Sequence, residues 1–297
     1  MKKLLVILLF LFVTGAFVLN PTLCINASKK GIMLWFNNIF PVLFPCIIVS
    51  NILLATNIVE NKKKTAPVFI FLCGVLCGFP IGSKLSCDFY KKGIINQKTA
   101  QLLCNCSNHF SLAYISGFVM ANCINNKLYN PFIVYVFIYL PSVMLLVINL
   151  PKLITNEIKT KKSASRFNLN MQIIDAGIIN GFEALIKLCG YIVMFSILTN
   201  GVRMLLQENS LVYLIFSNLL ETTTGIASME KLTISYRTKL LVSIAALNFG
   251  GISCLAQTGS VISKTDLSLT KYALFRIILT VLSSIIAFIL LFILRIC

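Results

Sequence analysis

The sequence predicts an all-α polytopic membrane protein, made of two inverted repeats with re-entrant hairpins and broken transmembrane helices. Three observations lead to this prediction: the composition, the succession of apolar stretches, and a repeated order of helix breaks. Hydrophobic residues make up 58% of the 297 positions and charged residues 12%, with a mean hydropathy of +0.89. A soluble domain carries about 25% charged residues, so a soluble enzyme, a disordered chain and a secreted disulfide scaffold are excluded.

Apolar stretches recur along the whole chain, and at about 20 residues for each crossing they allow roughly eight to ten membrane segments. The charges are one-sided, since 26 Lys and Arg stand against 9 Asp and Glu, a net charge of +17. Because Lys and Arg collect in cytoplasmic loops, we expect the basic segments 62–64 and 152–172 to be cytoplasmic. No soluble basic domain is available for nucleic acid, so the expected surroundings are membrane lipid.

The order of segments divides the chain into four parts. They are an N-terminal transmembrane helix or signal anchor over 1–27, a first repeat over 28–151, a basic cytoplasmic loop over 152–172, and a second repeat over 173–297. The apolar residues 4–19 follow Met-Lys-Lys, a pattern that fits a retained helix or a cleaved signal peptide.

The first repeat contains two interrupted helices between two spans. Its predicted elements are an interfacial start over 28–38, a span over 39–56, short helices over 67–81 and 83–90, an interrupted helix over 97–124, and a span over 131–150. The short helices meet at Gly-Phe-Pro-Ile-Gly, residues 78–82, which predicts a re-entrant hairpin or a broken span. Non-helical backbone at membrane depth is tolerated only against protein or a watery cavity.

The second repeat follows the same order. Its predicted elements are an interfacial segment over 173–182, a span over 184–205, a half helix over 211–220 ending at 221–225, a helix over 238–263 broken at 248–251, and a span over 271–294. Gly82 corresponds to Gly225, an offset of 143 positions. If the basic loops are cytoplasmic, span 39–56 runs inward and span 184–205 runs outward, which predicts the inverted topology of secondary transporters.

Metal, redox and enzyme chemistry are not expected. The eleven Cys residues form no CxxC pair and His109 is the only histidine, so we interpret the cysteines as small membrane-tolerant side chains. The sequence contains no GxSxG elbow, P-loop or HExxH motif. We therefore predict no cofactor, no metal and no catalytic residue.

The first repeat offers a candidate anion site and a candidate hydrogen-bonding site. A half helix that starts near Gly82 and Ser83 points free N–H groups into the membrane, and Lys84 adds a full positive charge. Lys84 could bind a carboxylate or phosphate, pair with Asp88, or extend to the surface. The polar break at 105–111 could bind a heteroaromatic or sugar-like ligand, or satisfy the interrupted backbone.

The second repeat offers an acidic counterpart. Glu221 could couple transport to H+ or Na+, pair with Lys84, or lie exposed at the membrane surface. The residues expected to bind substrate are Gly82, Ser83, Lys84, Asn105, Ser107, Asn108, Glu221, Thr222, Thr223, Asn248, Ser253 and Gln257.

Four segments together resemble the YlbJ-type sporulation integral membrane proteins, of the nucleoside-recognition or Gate domain group. The segments are 78–84 (GFPIGSK), 106–108 (CSN), 221–225 (ETTTG) and 249–257 (FGGISCLAQ). The resemblance runs from about residue 30 to the end. His109 departs from it, because a small or apolar residue is expected after Asn108.

The resemblance implies a fold similar to that of concentrative nucleoside transporters, in a mother-cell-derived membrane around the forespore. It also implies delivery of dipicolinate, a dianionic pyridine dicarboxylate. The leading hypothesis is therefore transport of a small organic anion. The alternatives are a nucleoside or nucleobase transporter of the same fold, and a structural spore-envelope protein that transports nothing. The sequence leaves open the coupling ion and whether the chain forms a homo-oligomer.

Overall fold

The structure is a computed structural model that describes residues 2–56, 65–120, 131–155, 169–206, 210–229 and 232–293. Of these described residues 88% are helical and none lies in a strand. The helices long and apolar enough to cross a membrane are five in these ranges: Pro21–Ala55, Phe132–Asn149, Met171–Arg203, Tyr236–Ile262 and Leu269–Ile293. These findings confirm an all-α polytopic membrane protein. The count is below eight because several apolar segments have only half the length of a crossing.

The first long helix starts earlier than predicted. After α1 (Lys2–Leu19), α2 (Pro21–Leu34) continues through a π-helical turn, Trp35–Ile39, into α3 (Phe40–Ala55). Proline suits the first position of a helix, so α2 begins at Pro21, within the part assigned to the N-terminal helix. The expected interfacial segment over 28–38 is therefore part of a continuous helix rather than a separate element.

The predicted hairpin is formed by α4 (Ala66–Cys77) and α5 (Ile81–Lys91). The α4 helix ends at Gly78, whose φ of 84° lies in the left-handed region that favours glycine. Both arms lie against the end of α6 (Gln97–Ser107), since a Cβ at Gly74 or at Gly82 would overlap the Ser107 carbonyl. Small residues thus let three backbones meet at the hairpin tip.

The second break lies slightly later than predicted. Residues 108–111 are non-helical, and the chain continues as α7 (Leu112–Tyr114) and a π-helical turn, Ile115–Val119. Asn105 and Ser107 are still helical because they lie in the final turns of α6. The next helix, α8 (Pro131–Thr155), extends into the segment 152–172 that was predicted as a loop; 156–168 lies outside the described residues, as does the basic loop 62–64.

The second half contains six helices in the described ranges. They are α9 (Met171–Leu205), α10 (Leu211–Leu220), α11 (Thr222–Ser228), α12 (Tyr236–Phe249), α13 (Gly251–Ile262) and α14 (Leu269–Ile293). The separate segments predicted over 173–182 and 184–205 are one 35-residue helix, since no proline interrupts them. The predicted break over 221–225 is confined to Glu221, because the following residues form α11.

The two hairpins lie next to the two helix breaks. The tip between α10 and α11 packs on the start of α13, where a Cβ at Gly251 would lie 3.1 Å from the Asn218 carbonyl oxygen. In the first half, a Cβ at Gly78 would lie 2.8 Å from the Ser111 backbone nitrogen. The four interruptions of helical backbone, at Gly78, 108–111, Glu221 and Gly250, thereby lie in the interior. A binding site between discontinuous helices is expected there. The inverted relation of the halves and the division into four parts remain predictions.

Candidate functional site

A wide cavity with an excess of positive charge opens between α3, α5, α9 and α13. We call it the basic cavity; its volume is about 700 Å³. Five lysines and two acidic residues line it: Lys84, Lys91, Lys92, Lys187, Lys264, Asp88 and Glu183. Clefts lined by one sign of charge raise the local concentration of the opposite ion, so this cavity favours anions.

Lys84 lies on the inner wall of the basic cavity and is half-buried. Its Nζ donates a hydrogen bond to Asn51 Oδ1, and Asn51 Nδ2 donates to the Gly177 carbonyl at 3.1 Å. Asn51 therefore positions the ammonium group and ties α3 to α9. Lys84 forms no ion pair with Asp88, because the one ion pair between described residues joins Lys187 and Glu183. The hydrogen-bond partner of the Lys84 ammonium is thus a neutral amide, while Asp88 and Glu183 act on its charge from beyond ion-pair distance.

A second, much smaller cavity lies deeper, and we call it the middle cavity. Its volume of about 40 Å³ has room for about three water molecules. Its walls are mainly apolar and include Ile39, Leu43, Phe79, Phe110, Leu188 and Ile192. Leu188 and Gln257 line both this cavity and the basic cavity. The basic cavity therefore meets the middle cavity at these two residues. The middle cavity, at about 40 Å³, is too small in this structure for a ring-sized solute.

A third cavity, which we call the far cavity, adjoins the middle cavity. Its volume is about 390 Å³, and Asn38 lines both it and the middle cavity. Lys30 and Arg203 are the charged residues among its lining side chains. Three cavities therefore lie in series, and the two wide ones are both basic.

Glu221 lines the middle cavity and is 2% exposed. Its carboxylate caps α11 by accepting hydrogen bonds from the backbone nitrogens of Thr223, at 3.1 Å, and Thr224, at 2.5 Å. Glu221 is thus neither exposed at a membrane surface nor paired with Lys84, two of the alternatives that the sequence left open. A capping carboxylate is favoured at a helix N-terminus by the free N–H groups and the dipole.

Gln257 occupies the boundary between the basic and the middle cavity. Its Nε2 donates to Ser253 Oγ at 3.1 Å, and its Oε1 has no hydrogen-bond partner among the described residues. An unpaired amide oxygen at such a constriction is suited to accept a hydrogen bond from a passing solute or water.

Asn108 joins the two halves of the chain. Its Nδ2 donates to Thr258 Oγ1 at 2.9 Å and to Tyr272 Oη at 3.0 Å, and its Oδ1 accepts from the Ser83 backbone nitrogen at 3.4 Å. Both amide hydrogens are therefore used within the protein. Asn108 links the first break to α13 and α14 rather than lining a cavity.

The twelve predicted residues do not converge on one space. Lys84, Glu221, Thr223 and Gln257 line the basic or the middle cavity. The others pack within the protein and line none of the three cavities: Gly82, Ser83, Asn105, Ser107, Asn108, Thr222, Asn248 and Ser253. Asn105, for example, accepts from Gln101 Nε2, and Asn248 Nδ2 donates to the Ile244 carbonyl.

Sequence reasoning missed Asn51 and Arg276. Asn51 carries no local signal, because its role depends on the approach of α9. Arg276 carries one, since it is a cation within an apolar span, five positions after Lys271, and is 0% exposed. A cation at the centre of a membrane helix costs about 2.5–3.5 kcal/mol on insertion scales, so a buried arginine within a span calls for a reason.

No family model matches the chain, and no solved structure matches it. The chain is similar to the sporulation integral membrane protein YlbJ of Bacillus subtilis (strain 168), with 22% identity over 93% of this chain and 80% of that protein. This similarity supports a YlbJ-type assignment. It agrees with the prediction made from the Gly-Pro and Ser-Asn breaks, and it supports a sporulation-related membrane protein of the multi-pass type.

Proposed function

We propose that this protein transports a small organic anion, dipicolinate, across the membrane around the forespore. The observation that carries the proposal is the series of three cavities, wide and basic at both ends and closed in the middle. A transporter in its closed state needs this combination, because an open route would dissipate the gradient. The cargo and the location rest on the resemblance to the YlbJ type.

The distribution of charge supports an orientation for this route. The end of α5 and the turn after α13 carry lysines that line the basic cavity, Lys91, Lys92 and Lys264, and the first turns of the next helices, α6 and α14, carry Lys98 and Lys271. The end of α3 and the early turns of α9 line that cavity, at Ala55 and Asn180, and in the sequence the basic segments 62–64 and 152–172 follow α3 and precede α9. By the positive-inside rule the basic cavity faces the cytoplasm, which for this location is that of the mother cell.

The chemistry of the basic cavity fits a dianion better than a neutral nucleoside. Five lysines less two acidic residues leave a net charge of +3 around it. Lys84 lies deepest along the hairpin and can exchange its hydrogen bond with Asn51 for one with a carboxylate. A carboxylate adds an attraction between opposite charges that the neutral Asn51 amide lacks, which favours such an exchange.

The proposal is tested by the dipicolinate content of spores from the host of this protein. With Lys84→Ala, spore dipicolinate is expected to be lost while the pool in the mother cell remains. Lys187→Ala serves as the matched control, because Lys187 lies on the same cavity but its side chain is 63% exposed and paired with Glu183. Normal spore dipicolinate in the Lys84→Ala strain would overturn the assignment of Lys84.

A further inference from the structure

Arg276 is a fully buried cation that the route described above leaves unexplained. It lies in α14 and is 0% exposed, and it forms no ion pair with any carboxylate of the described residues. Desolvated charges without a partner are strongly unfavourable. The groups around the guanidinium must therefore compensate its charge.

The first compensating group belongs to the second helix break. Arg276 Nη2 donates to the Leu247 carbonyl at 3.2 Å. Leu247 lies in the last turn of α12, which ends at Phe249 beside the left-handed Gly250. Carbonyls in a final turn lack an intrahelical donor and carry the negative end of the helix dipole, so a cation is favoured there.

The second compensating group belongs to the first helix break. The guanidinium carbon lies 5.4 Å from the centre of the Phe79 ring, within the range of a cation–π interaction. The Phe79 ring also lies on the second break, since a Cβ at Gly250 would come within 3.2 Å of it. One side chain therefore holds the hairpin tip of the first half against the end of α12 in the second half.

Phe79 is also a wall of the middle cavity, next to Phe110, with ring centres 5.1 Å apart. We propose that Arg276 is a positioning residue that latches Phe79 in place and so keeps the middle cavity closed. The latch rests on the proposed transport function, because cargo can pass only when this wall moves. Arg276 itself lines none of the three cavities, so its action on the route is through Phe79.

The chain contains its own reporter for this test. Cys254 lines the middle cavity and is 5% exposed, whereas Cys104 and Cys106 are 0% exposed and line none of the three cavities. The purified full-length protein is treated with N-ethylmaleimide, and the modification rate of each cysteine is followed by peptide mass spectrometry. Cys254 then reports the opening of the cavity, and the other two report general loosening.

Arg276→Met is expected to raise the labelling rate of Cys254 about tenfold, the factor that corresponds to 1.4 kcal/mol. Cys104 and Cys106 are expected to stay as slow as in the wild type. Arg276→Lys keeps a cation near the ring and is expected to restore slow labelling at Cys254. Phe79→Leu removes the ring and is expected to raise Cys254 labelling with Arg276 in place.

Unchanged Cys254 labelling in Arg276→Met, or an equal rise at Cys104, would overturn the latch. If Arg276→Met does not fold, Phe79→Leu decides alone, and wild-type labelling of Cys254 in that variant rejects the proposal. The assay needs no cargo. If the protein transports nothing, uptake of cargo is absent. If the latch does not exist, the labelling rate of Cys254 is the same in Arg276→Met as in the wild type.

Discussion

Replacing Lys84 by Gln removes the deepest cation of the basic cavity and keeps a hydrogen-bond donor for Asn51. A hydrogen bond between charged groups contributes about 1.5–3 kcal/mol. Because Lys84 is half-buried and its surroundings are partly wet, we take the lower end of that range. The dissociation constant for dipicolinate is then expected to rise about tenfold, since 1.36 kcal/mol corresponds to a factor of ten.

Isothermal titration calorimetry of the purified protein in detergent, at low ionic strength, measures this change. Lys187→Gln is the control, because its exposed charge is already paired with Glu183 at 2.5 Å. Exposed ion pairs contribute little, so this variant is expected to shift the dissociation constant by no more than about twofold. Equal affinity of Lys84→Gln and the wild type would refute the reasoning. An equal loss of affinity in both variants would show that the net charge of the cavity attracts dipicolinate, without a specific contact at Lys84.

Three further substitutions test the packing that holds the cavities in place, each read as a melting temperature in detergent. Gly82→Ala should destabilise the protein by about 1–3 kcal/mol, because the added Cβ overlaps the Ser107 carbonyl. Gly190→Ala is the control and should be neutral or stabilising, because its Cβ would have nothing within 4 Å. Equal melting temperatures of the two variants would contradict this. Glu221→Ala should cost about 1–2 kcal/mol by uncapping α11, and no loss would reject the cap. Asn108→Ala should cost about 1–3 kcal/mol by removing the hydrogen bonds that Thr258 and Tyr272 accept from it, and wild-type stability would exclude that link.

The breaks in the helices were predictable because glycine and proline mark them locally. Gly78 and Gly250 both have a φ of 84°, which other residues rarely adopt, so the sequence position of each turn is nearly fixed. The continuous helix from Met171 to Leu205 was not predictable. Its first part is more polar than its second part, yet polarity sets depth in the membrane and does not interrupt a helix.

The partners of the polar side chains could not be predicted, because they come from distant parts of the chain. Asn108 donates to residues 150 and 164 positions away, and Lys84 donates to Asn51 on another helix. Whether a side chain faces a cavity or a neighbouring helix depends on the rotation of its helix, which tertiary packing decides. Arg276 is the exception, since a cation within an apolar span, five positions after Lys271, was visible in the sequence.

The most direct test of the account is uptake of radiolabelled dipicolinate into liposomes that contain the purified protein. We expect saturable uptake that unlabelled uridine does not inhibit, that falls about tenfold at low substrate concentration with Lys84→Gln, and that persists with Lys187→Gln. Uptake no greater than in protein-free liposomes, by protein that melts as the wild type does, would contradict the central claim. Uptake of uridine in place of dipicolinate would retain a transporter but contradict its assignment to an organic anion.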